Sequence, residues 1–273
     1  MLNVKSSDGT EIHALTYGEG RDVVLIHGWP LSHAMWEYQV ADLVEAGNRV
    51  TMYSRRGFGQ SGKPWAGYDY DTMTDDLAAV LDSAGVKDAA LVGFSMGGGE
   101  VARYMSRHGG KNVRSAVLVS AVTPFMLKTD DNPDGVDGEV FEEIKNGLKT
   151  DRPKFLNDFY QDFFGQGSTE GGVSDALLHD AVRVAMQASP KATIDCVEAF
   201  GKTDFRADMA AFKVPTLIIH GTGDKTVPFE ASAKRAAEMI KDSELKTYDG
   251  APHALVNTHT KRFNADLISF LKI

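Results

Sequence analysis

The sequence predicts an α/β fold in which a mostly parallel sheet of eight strands carries helices on both faces. Short apolar runs rich in valine, isoleucine and leucine alternate with longer segments whose apolar residues recur at helical spacing. Such alternation is typical of parallel sheets whose strands are buried on both sides. The alternation stops after Ala121 and resumes at Val214, which predicts an insertion. At 273 residues, the chain is long enough to bury a large core.

The first half of the chain contains six of the predicted strands. Asp8-Gly9 lies between two alternating segments, so the first two strands are predicted to pair antiparallel at the edge of the sheet. Residues 54–64 are polar and rich in glycine, which predicts a loop. The predicted strands are 2–5, 11–17, 22–27, 49–53, 89–92 and 113–119, and the predicted helices are 32–46, 74–83 and the segment between Ser95 and Gly109.

The second half contains the insertion and the end of the sheet. We predict that residues 122–212 form a helical cap inserted into a core domain made of residues 1–121 and 213–273. The predicted cap helices are 138–149, 151–164, 174–188 and 191–202, and the sheet then resumes with strands 214–220 and 244–248 and helices 229–241 and 260–271.

Composition excludes several functional classes. The net charge of −9 argues against a nucleic-acid partner, because surfaces that bind phosphate backbones carry excess Lys and Arg. Arg55-Arg56 is the densest basic spot and is interpreted as part of a loop. Cys196 is the only cysteine, so an intrachain disulfide is ruled out, and its helix-like setting indicates a buried, inert thiol. Neither an apolar signal core nor a membrane-spanning run occurs, so we expect a cytoplasmic protein with no membrane partner.

The segment Gly93-Phe94-Ser95-Met96-Gly97 matches the G-x-S-x-G nucleophile elbow. This short pattern also arises by chance, but here it lies between an apolar strand and a glycine-rich helix start, which is the structural context that the elbow requires. The sequence therefore predicts that Ser95 is a nucleophile at the turn from a strand to a helix.

A serine hydroxyl needs a base and a group that orients that base. Asp224 and His253 follow Ser95 in the order expected for an acid and a base, each on a loop after a predicted strand. The alternative for Asp224 is a turn-forming or helix-capping aspartate. The other histidines are weaker candidates, since His27 precedes the acid and His220 lies inside a buried strand.

The oxyanion of an acyl-transfer reaction needs preorganised N–H donors. One should be the backbone N–H of Met96, which follows the nucleophile, and the other the N–H of Trp29, in the loop after strand 22–27. Pro30 carries no N–H and biases Trp29 towards an extended backbone, which would help to direct that donor.

Over essentially its full length, the sequence resembles the cofactor-free bacterial haloperoxidase and aryl esterase branch of the α/β-hydrolase superfamily. The matching segments are Ile-His-Gly-Trp-Pro (26–30), Arg-Arg-Gly-Phe-Gly (55–59), Gly-Phe-Ser-Met-Gly-Gly-Gly-Glu (93–100), Ala-Val-Thr-Pro (121–124), Lys-Ala-Thr-Ile-Asp-Cys (191–196), Thr-Asp-Phe-Arg (203–206), Val-Pro-Thr-Leu (214–217) and the segment from His220 to Phe229. The resemblance implies an α/β-hydrolase fold.

The resemblance also implies the chemistry. Members of this branch are serine hydrolases with no metal or haem cofactor, and the implied partners are small esters, lactones or peroxide, with assembly as a homo-oligomer. An acyl-enzyme on Ser95 would be cleaved by water in ester hydrolysis, or by hydrogen peroxide to give a peracid that oxidises halide. Trp29 and Met96 match the oxyanion positions of the family. The residues that match its acyl pocket are Val122, Phe141, Phe159, Phe163 and Val227.

Three positions depart from the family pattern. Ser54 stands where the family generally has Asp, Ala254 replaces a glycine after the base, and Thr226 stands where an apolar residue is common. We expect them to affect the rate and the substrate profile. Lactone or lactam hydrolysis is the alternative with the same acyl-enzyme, and two less favoured alternatives are a ligand sensor that retains the triad and a metal-dependent peroxidase.

Overall fold

A mostly parallel sheet of eight strands forms the centre of the fold, as the sequence predicts. The computed structural model describes residues 2–272. The spatial order is β1-β2-β4-β3-β5-β6-β7-β8, and β2 runs antiparallel to both of its neighbours, whereas the other pairs are parallel. The strands are β1 Leu2–Lys5, β2 Glu11–Tyr17, β3 Arg21–Ile26, β4 Asn48–Tyr53, β5 Ala89–Phe94, β6 Val113–Val119, β7 Thr216–Gly221 and β8 Ser243–Tyr248.

Only β1 of the predicted pair of edge strands lies at the edge, because β2 also pairs with β4. The helices are α1 Glu37–Glu45, α2 Tyr70–Ser83, α3 Met96–Arg107, α4 Gly138–Thr150, α5 Arg152–Phe163, α6 Asp175–Met186, α7 Pro190–Lys202, α8 Arg206–Met209, α9 Ala233–Met239, α10 Leu255–Thr258 and α11 Thr260–Leu271. Within residues 2–272, no helix is long and apolar enough to cross a bilayer.

Three helices differ from the sequence prediction at their first turns, and one of them, α2, begins four residues before the predicted 74–83, at a first turn capped by Asp69. The predicted helix 32–46 begins as a 3-10 turn, His33–Trp36, before α1 starts. Helix α9 is shorter than the predicted 229–241 at both ends, and the residues before it form turns in which Ser232 Oγ donates to the carbonyl of Pro228 at 2.7 Å. Helices α8 and α10 have four residues each, too few to produce a periodic apolar signal.

Helices α4 to α7 lie between β6 and β7 in the chain, where the sequence predicts the cap. Each begins at a residue whose side-chain oxygen accepts a hydrogen bond from the backbone of the first turn, and these N-caps are Asp137, Asp151, Ser174 and Ser189. The helices contact one another, α4 with α5 and α7, and α5 with α6. The division into a core domain and a cap stays a prediction.

Candidate active site

Ser95 occupies a sharp turn between β5 and α3. Its backbone has φ 54° and ψ −118°, a conformation that residues other than glycine rarely adopt. The turn also requires small neighbours, because a Cβ on Gly97 would lie 2.4 Å from the carbonyl oxygen of Ile26 in β3. The Ser95 N–H donates to the carbonyl of Val119 at 2.8 Å, which ties the turn to β6. The turn is therefore held between two neighbouring strands of the sheet.

The structure brings together the three residues that the sequence places in a triad. His253 Nε2 lies 2.9 Å from Ser95 Oγ, and His253 Nδ1 lies 2.6 Å from Asp224 Oδ2. Because an ionised carboxylate can only accept, Nδ1 donates its proton to Asp224, and Nε2 is free to accept the proton of the Ser95 hydroxyl. This is the orientation that a base for a serine nucleophile needs.

The Asp224 carboxylate is fully buried and accepts several hydrogen bonds. Its Oδ1 accepts the backbone N–H of Thr226 at 2.9 Å and that of Val227 at 2.8 Å. Burial alone would raise the pKa of the Asp224 carboxyl, but the neighbouring His253 and His220 outweigh that effect and hold the pKa well below its usual value. Asp224 is therefore ionised at neutral pH, when it can stabilise a positive charge on His253.

The ring of His253 is packed between two phenylalanines. The centroid of its ring lies 5.0 Å from that of Phe94 and 4.9 Å from that of Phe163. The N–H of the next residue, Ala254, donates to the carbonyl of Phe163 at 3.0 Å, and Ala254 has φ −82°, which suits any L-residue. The alanine that replaces the family's glycine is therefore accommodated without strain.

The loop after β3 passes directly against the nucleophile. A Cβ on Gly28 would lie 2.6 Å from the ring of Phe94 and 3.1 Å from Ser95 Cβ. Trp29 follows in this loop, and its indole Nε1 donates to the carbonyl of Thr193 in α7 at 2.9 Å. Met96 is the first residue of α3, where backbone N–H groups have no partner within the helix. Both predicted oxyanion residues thus lie beside Ser95.

A buried ion pair behind the site was missed in the sequence. Arg55 was interpreted only as part of a loop, but its guanidinium is buried and pairs with Glu100 of α3, with Nε 2.5 Å from Oε1. Tyr53 donates its hydroxyl to the other oxygen of Glu100 at 2.7 Å. Burial raises the pKa of the Glu100 carboxyl, although Arg55 opposes the rise. The available signals were an acidic residue on the first turns of the elbow helix and paired arginines after a strand.

The same network holds the end of β3. Arg55 donates from Nη2 to the carbonyl of His27 at 2.7 Å, and from its backbone N–H to His27 Nε2 at 2.9 Å. Burial, and then the charge of Arg55, lower the pKa of His27 well below its ordinary value. His27 is therefore neutral, and it positions the backbone that leads to Gly28 and Trp29.

Ser54, the departure beside these arginines, is buried with its polar groups paired. Its Oγ lies 2.7 Å from His33 Nδ1, and its carbonyl accepts the hydroxyl of Ser61 at 2.5 Å. At this position, where the family generally has Asp, the loop makes neutral hydrogen bonds.

A narrow cavity of about 50 Å³ opens at Ser95. Its lining is mostly apolar, with Trp29 and the hydroxyl-bearing Thr226 beside the nucleophile. Four of the five predicted pocket residues line it, namely Val122, Phe141, Phe159 and Val227. Phe163 does not line this cavity, because its ring packs against His253 instead.

The described residues contain no group of three or more His, Cys, Asp or Glu side chains arranged to hold a metal ion. Cys196 is buried in α7, and burial raises the pKa of its thiol to about 12. At neutral pH this thiol is uncharged and a weak nucleophile, in keeping with the sequence prediction.

Comparisons with known proteins agree with this geometry. A family model described as alpha/beta hydrolase fold matches residues 23–260. The chain is 44% identical over 266 residues to the non-heme chloroperoxidase CPO-A1 of Kitasatospora aureofaciens, covering 97% of each chain. It is 40% identical over 273 residues to the bifunctional esterase/perhydrolase DCH of Acinetobacter calcoaceticus, covering 98% of this chain and 99% of that one. The crystal structure of bromoperoxidase from Bacillus anthracis matches with a TM-score of 0.95 and 47% identity, covering 100% of both chains.

Proposed function

The chain belongs to the α/β-hydrolase family, and from that premise we propose that it is a serine esterase of small carboxylic esters with perhydrolase activity. The observation that carries the proposal is the hydrogen-bonded series Ser95, His253 and Asp224 beside a narrow apolar cavity. Further support comes from relatives named as non-heme chloroperoxidases and as an esterase/perhydrolase.

In the first half of the reaction, His253 Nε2 takes the proton of the Ser95 hydroxyl as Oγ attacks the ester carbonyl carbon. The negative charge that forms on the carbonyl oxygen is stabilised by hydrogen bonds that the backbone N–H groups of Met96 and Trp29 donate to it. When the tetrahedral intermediate collapses, the bond to the alcohol oxygen breaks, and the alcohol leaves with the proton from His253. Ser95 then carries the acyl group as an ester.

In the second half, His253 takes a proton from the acceptor, which attacks the acyl carbonyl, and Ser95 leaves with that proton. With water, the product is the carboxylic acid. With hydrogen peroxide, the product is the peracid, which transfers its terminal OH oxygen and proton to bromide or chloride in solution to give hypohalous acid and the carboxylate. Halide oxidation then follows from acyl transfer at Ser95.

The cavity supports a preference for short acyl chains. Phe141 and Phe159 line it together with Val122 and Val227, and its volume of about 50 Å³ is far below the several hundred Å³ of pockets for drug-sized ligands. Lactones with the same acyl chemistry stay an alternative class of substrate. A cytoplasmic location, a homo-oligomeric assembly and the absence of a nucleic-acid partner also stay proposals, supported by the sequence composition and the family resemblance.

The proposal is tested with Ser95→Ala, in an aryl-ester series from acetate to octanoate and in bromination with peroxide in acetate buffer. We expect both activities to fall together by about 10⁴-fold or more, with the wild type fastest on the shorter esters. The exposed Ser83→Ala serves as the matched control and should keep both activities. Bromination at the wild-type rate in Ser95→Ala would refute the shared nucleophile.

A further inference from the structure

A second histidine contacts the carboxylate of Asp224. His220 lies near the end of β7, and its Nε2 is 3.1 Å from Asp224 Oδ2, the same oxygen that His253 Nδ1 contacts at 2.6 Å. The same Nε2 lies 2.9 Å from the carbonyl oxygen of Val227. The side chains of His220 and Asp224 are both completely buried. The sequence interpretation of His220 as part of a buried strand accounts for its position but not for these contacts.

The contacts of His220 determine where its ring carries a proton. A peptide carbonyl and an ionised carboxylate only accept, so Nε2 must be the protonated nitrogen. Nδ1 is buried and has no hydrogen-bond partner among the described residues. A second proton on Nδ1 would therefore place an unpaired N–H in a dry environment, which is costly. His220 thus presents the N–H group of Nε2 to Asp224 Oδ2.

Both oxygens of the Asp224 carboxylate have partners. Thr226 and Val227 donate their backbone N–H groups to Oδ1, whereas His220 and His253 face Oδ2. The titratable groups that face Asp224 are these two histidines. The ring of Phe229 packs on the other side of His220, with a centroid distance of 5.9 Å. The bond from His220 to the Val227 carbonyl also closes the loop that wraps the carboxylate.

We propose that His220 is a positioning residue that controls how strongly Asp224 attracts the proton shared with His253. This inference rests on the proposed function, because it concerns the same three residues. The N–H of His220 stabilises part of the negative charge of Oδ2, so this oxygen attracts a proton on His253 less strongly. Through Val227, the same ring holds the loop whose N–H groups orient the carboxylate.

The consequence is a shift in the pH dependence of turnover. Without the N–H of His220, the full charge of Oδ2 faces His253 and favours the protonated imidazole, which cannot act as a base. The acidic limb of the kcat/KM profile, which reports the coupled titration of Asp224 and His253, then moves to higher pH by about half a unit. A residue with only a structural role would lower the plateau and leave the limb in place.

The test compares pH profiles of kcat/KM for the wild type, His220→Leu and His220→Gln, with a short-chain aryl ester as substrate. We expect the limb of His220→Leu to move up by about half a unit, while the amide N–H of glutamine, which reaches about as far as Nε2, keeps it near the wild-type position. His108→Leu is the matched control, because His108 Nε2 contacts a carboxylate oxygen of Asp75 at 2.9 Å away from the site. Its profile should match that of the wild type.

A limb that stays in place in His220→Leu, or one that moves equally in His220→Gln, would overturn the inference. If His220→Leu does not fold, ¹⁵N NMR of the wild type with labelled histidines provides a second test. We expect the ring of His220 to carry its proton on Nε2, as the contact with the Val227 carbonyl requires, and a proton on Nδ1 would contradict the inference. If the proposed function were wrong, the wild type would show no esterase profile, so the two failures are distinguishable.

Discussion

The buried pair of Arg55 and Glu100 predicts a large cost for a nearly isosteric substitution. In Glu100→Gln, the side chain keeps its shape, but the guanidinium of Arg55 loses its counter-charge in a site where its side chain is 1% exposed and that of Glu100 is 0% exposed. The hydroxyl of Tyr53 also loses a carboxylate acceptor. A buried charge that has lost its partner cannot be resolvated without opening the fold.

The expected magnitude follows from this burial. Removal of one partner from a buried ion pair costs about 3–5 kcal/mol, and we expect the lower end, since the glutamine amide oxygen still accepts from Arg55. A chain of 273 residues unfolds with an entropy of about 0.6 kcal/mol/K, so the loss corresponds to a fall in Tm of roughly 5 °C. The control is the exposed Glu230, which pairs with Lys234 four residues later. In Glu230→Gln, the free energy of unfolding should fall by less than about 0.5 kcal/mol.

The free energy of unfolding is measured by urea denaturation for the wild type and both variants, together with kcat on a short-chain ester. We expect kcat to fall in Glu100→Gln, because Arg55 would hold the carbonyl of His27 less firmly and the loop that carries Trp29 begins there. An equal, small loss of stability in Glu100→Gln and Glu230→Gln would refute this reasoning.

Three further predictions follow from single contacts. Gly97→Ala should lower kcat about 100-fold, because the new Cβ would lie 2.4 Å from the Ile26 carbonyl and would displace the nucleophile. Burial, with a smaller contribution from His13, lowers the pKa of His33 from 6.5 to about 4. Between pH 4 and pH 6.5, His33 therefore binds a proton in the unfolded chain but not in the folded one. The unfolding free energy should therefore fall as the pH drops from 6.5 to about 4, and less steeply in His33→Gln. Phe159→Ala should raise the kcat/KM ratio of octanoate to acetate esters roughly tenfold, because it enlarges the acyl cavity.

Each of these predictions has its own control or contrary outcome. Gly138→Ala should leave kcat unchanged, since the new Cβ would make only an ordinary 3.5 Å contact, and equal losses in the two glycine variants would count against the elbow argument. Unfolding curves of His33→Gln and the wild type that share one pH dependence would remove His33 as the cause. An unchanged chain-length profile in Phe159→Ala would place the acyl group elsewhere.

The sequence predicts most of the fold because its signals are local. Continuous apolar runs identify the parallel strands. Ser95, Asp224 and His253 follow the carboxyl ends of three of these strands, so they meet at the same end of the sheet. The four predicted cap helices lie within two residues of their predicted bounds at each end, and an Asp or Ser N-cap begins each of them. The shorter α8 and α10 produce no periodic pattern, so they were not predicted.

The parts that the sequence does not predict depend on long-range contacts. Arg55 and Glu100 are 45 residues apart, and no local pattern shows that their charges meet in the interior. His220 is an exception, because it lies only four residues before Asp224, but no apolar pattern shows that the turn after β7 brings its ring to the carboxylate. Phe163 lies on a predicted cap helix, but the packing of the helix turns its ring to His253 and away from the cavity.

We propose that one nucleophile, Ser95, serves both water and peroxide. A titration of the wild type with a serine-directed phosphonate tests it, with ester hydrolysis and bromination measured at each step and the labelled peptide identified by mass spectrometry. We expect the two activities to fall along one line and to vanish when one equivalent has bound at Ser95. Bromination that survives complete loss of ester hydrolysis would contradict the claim, as would a label on another residue.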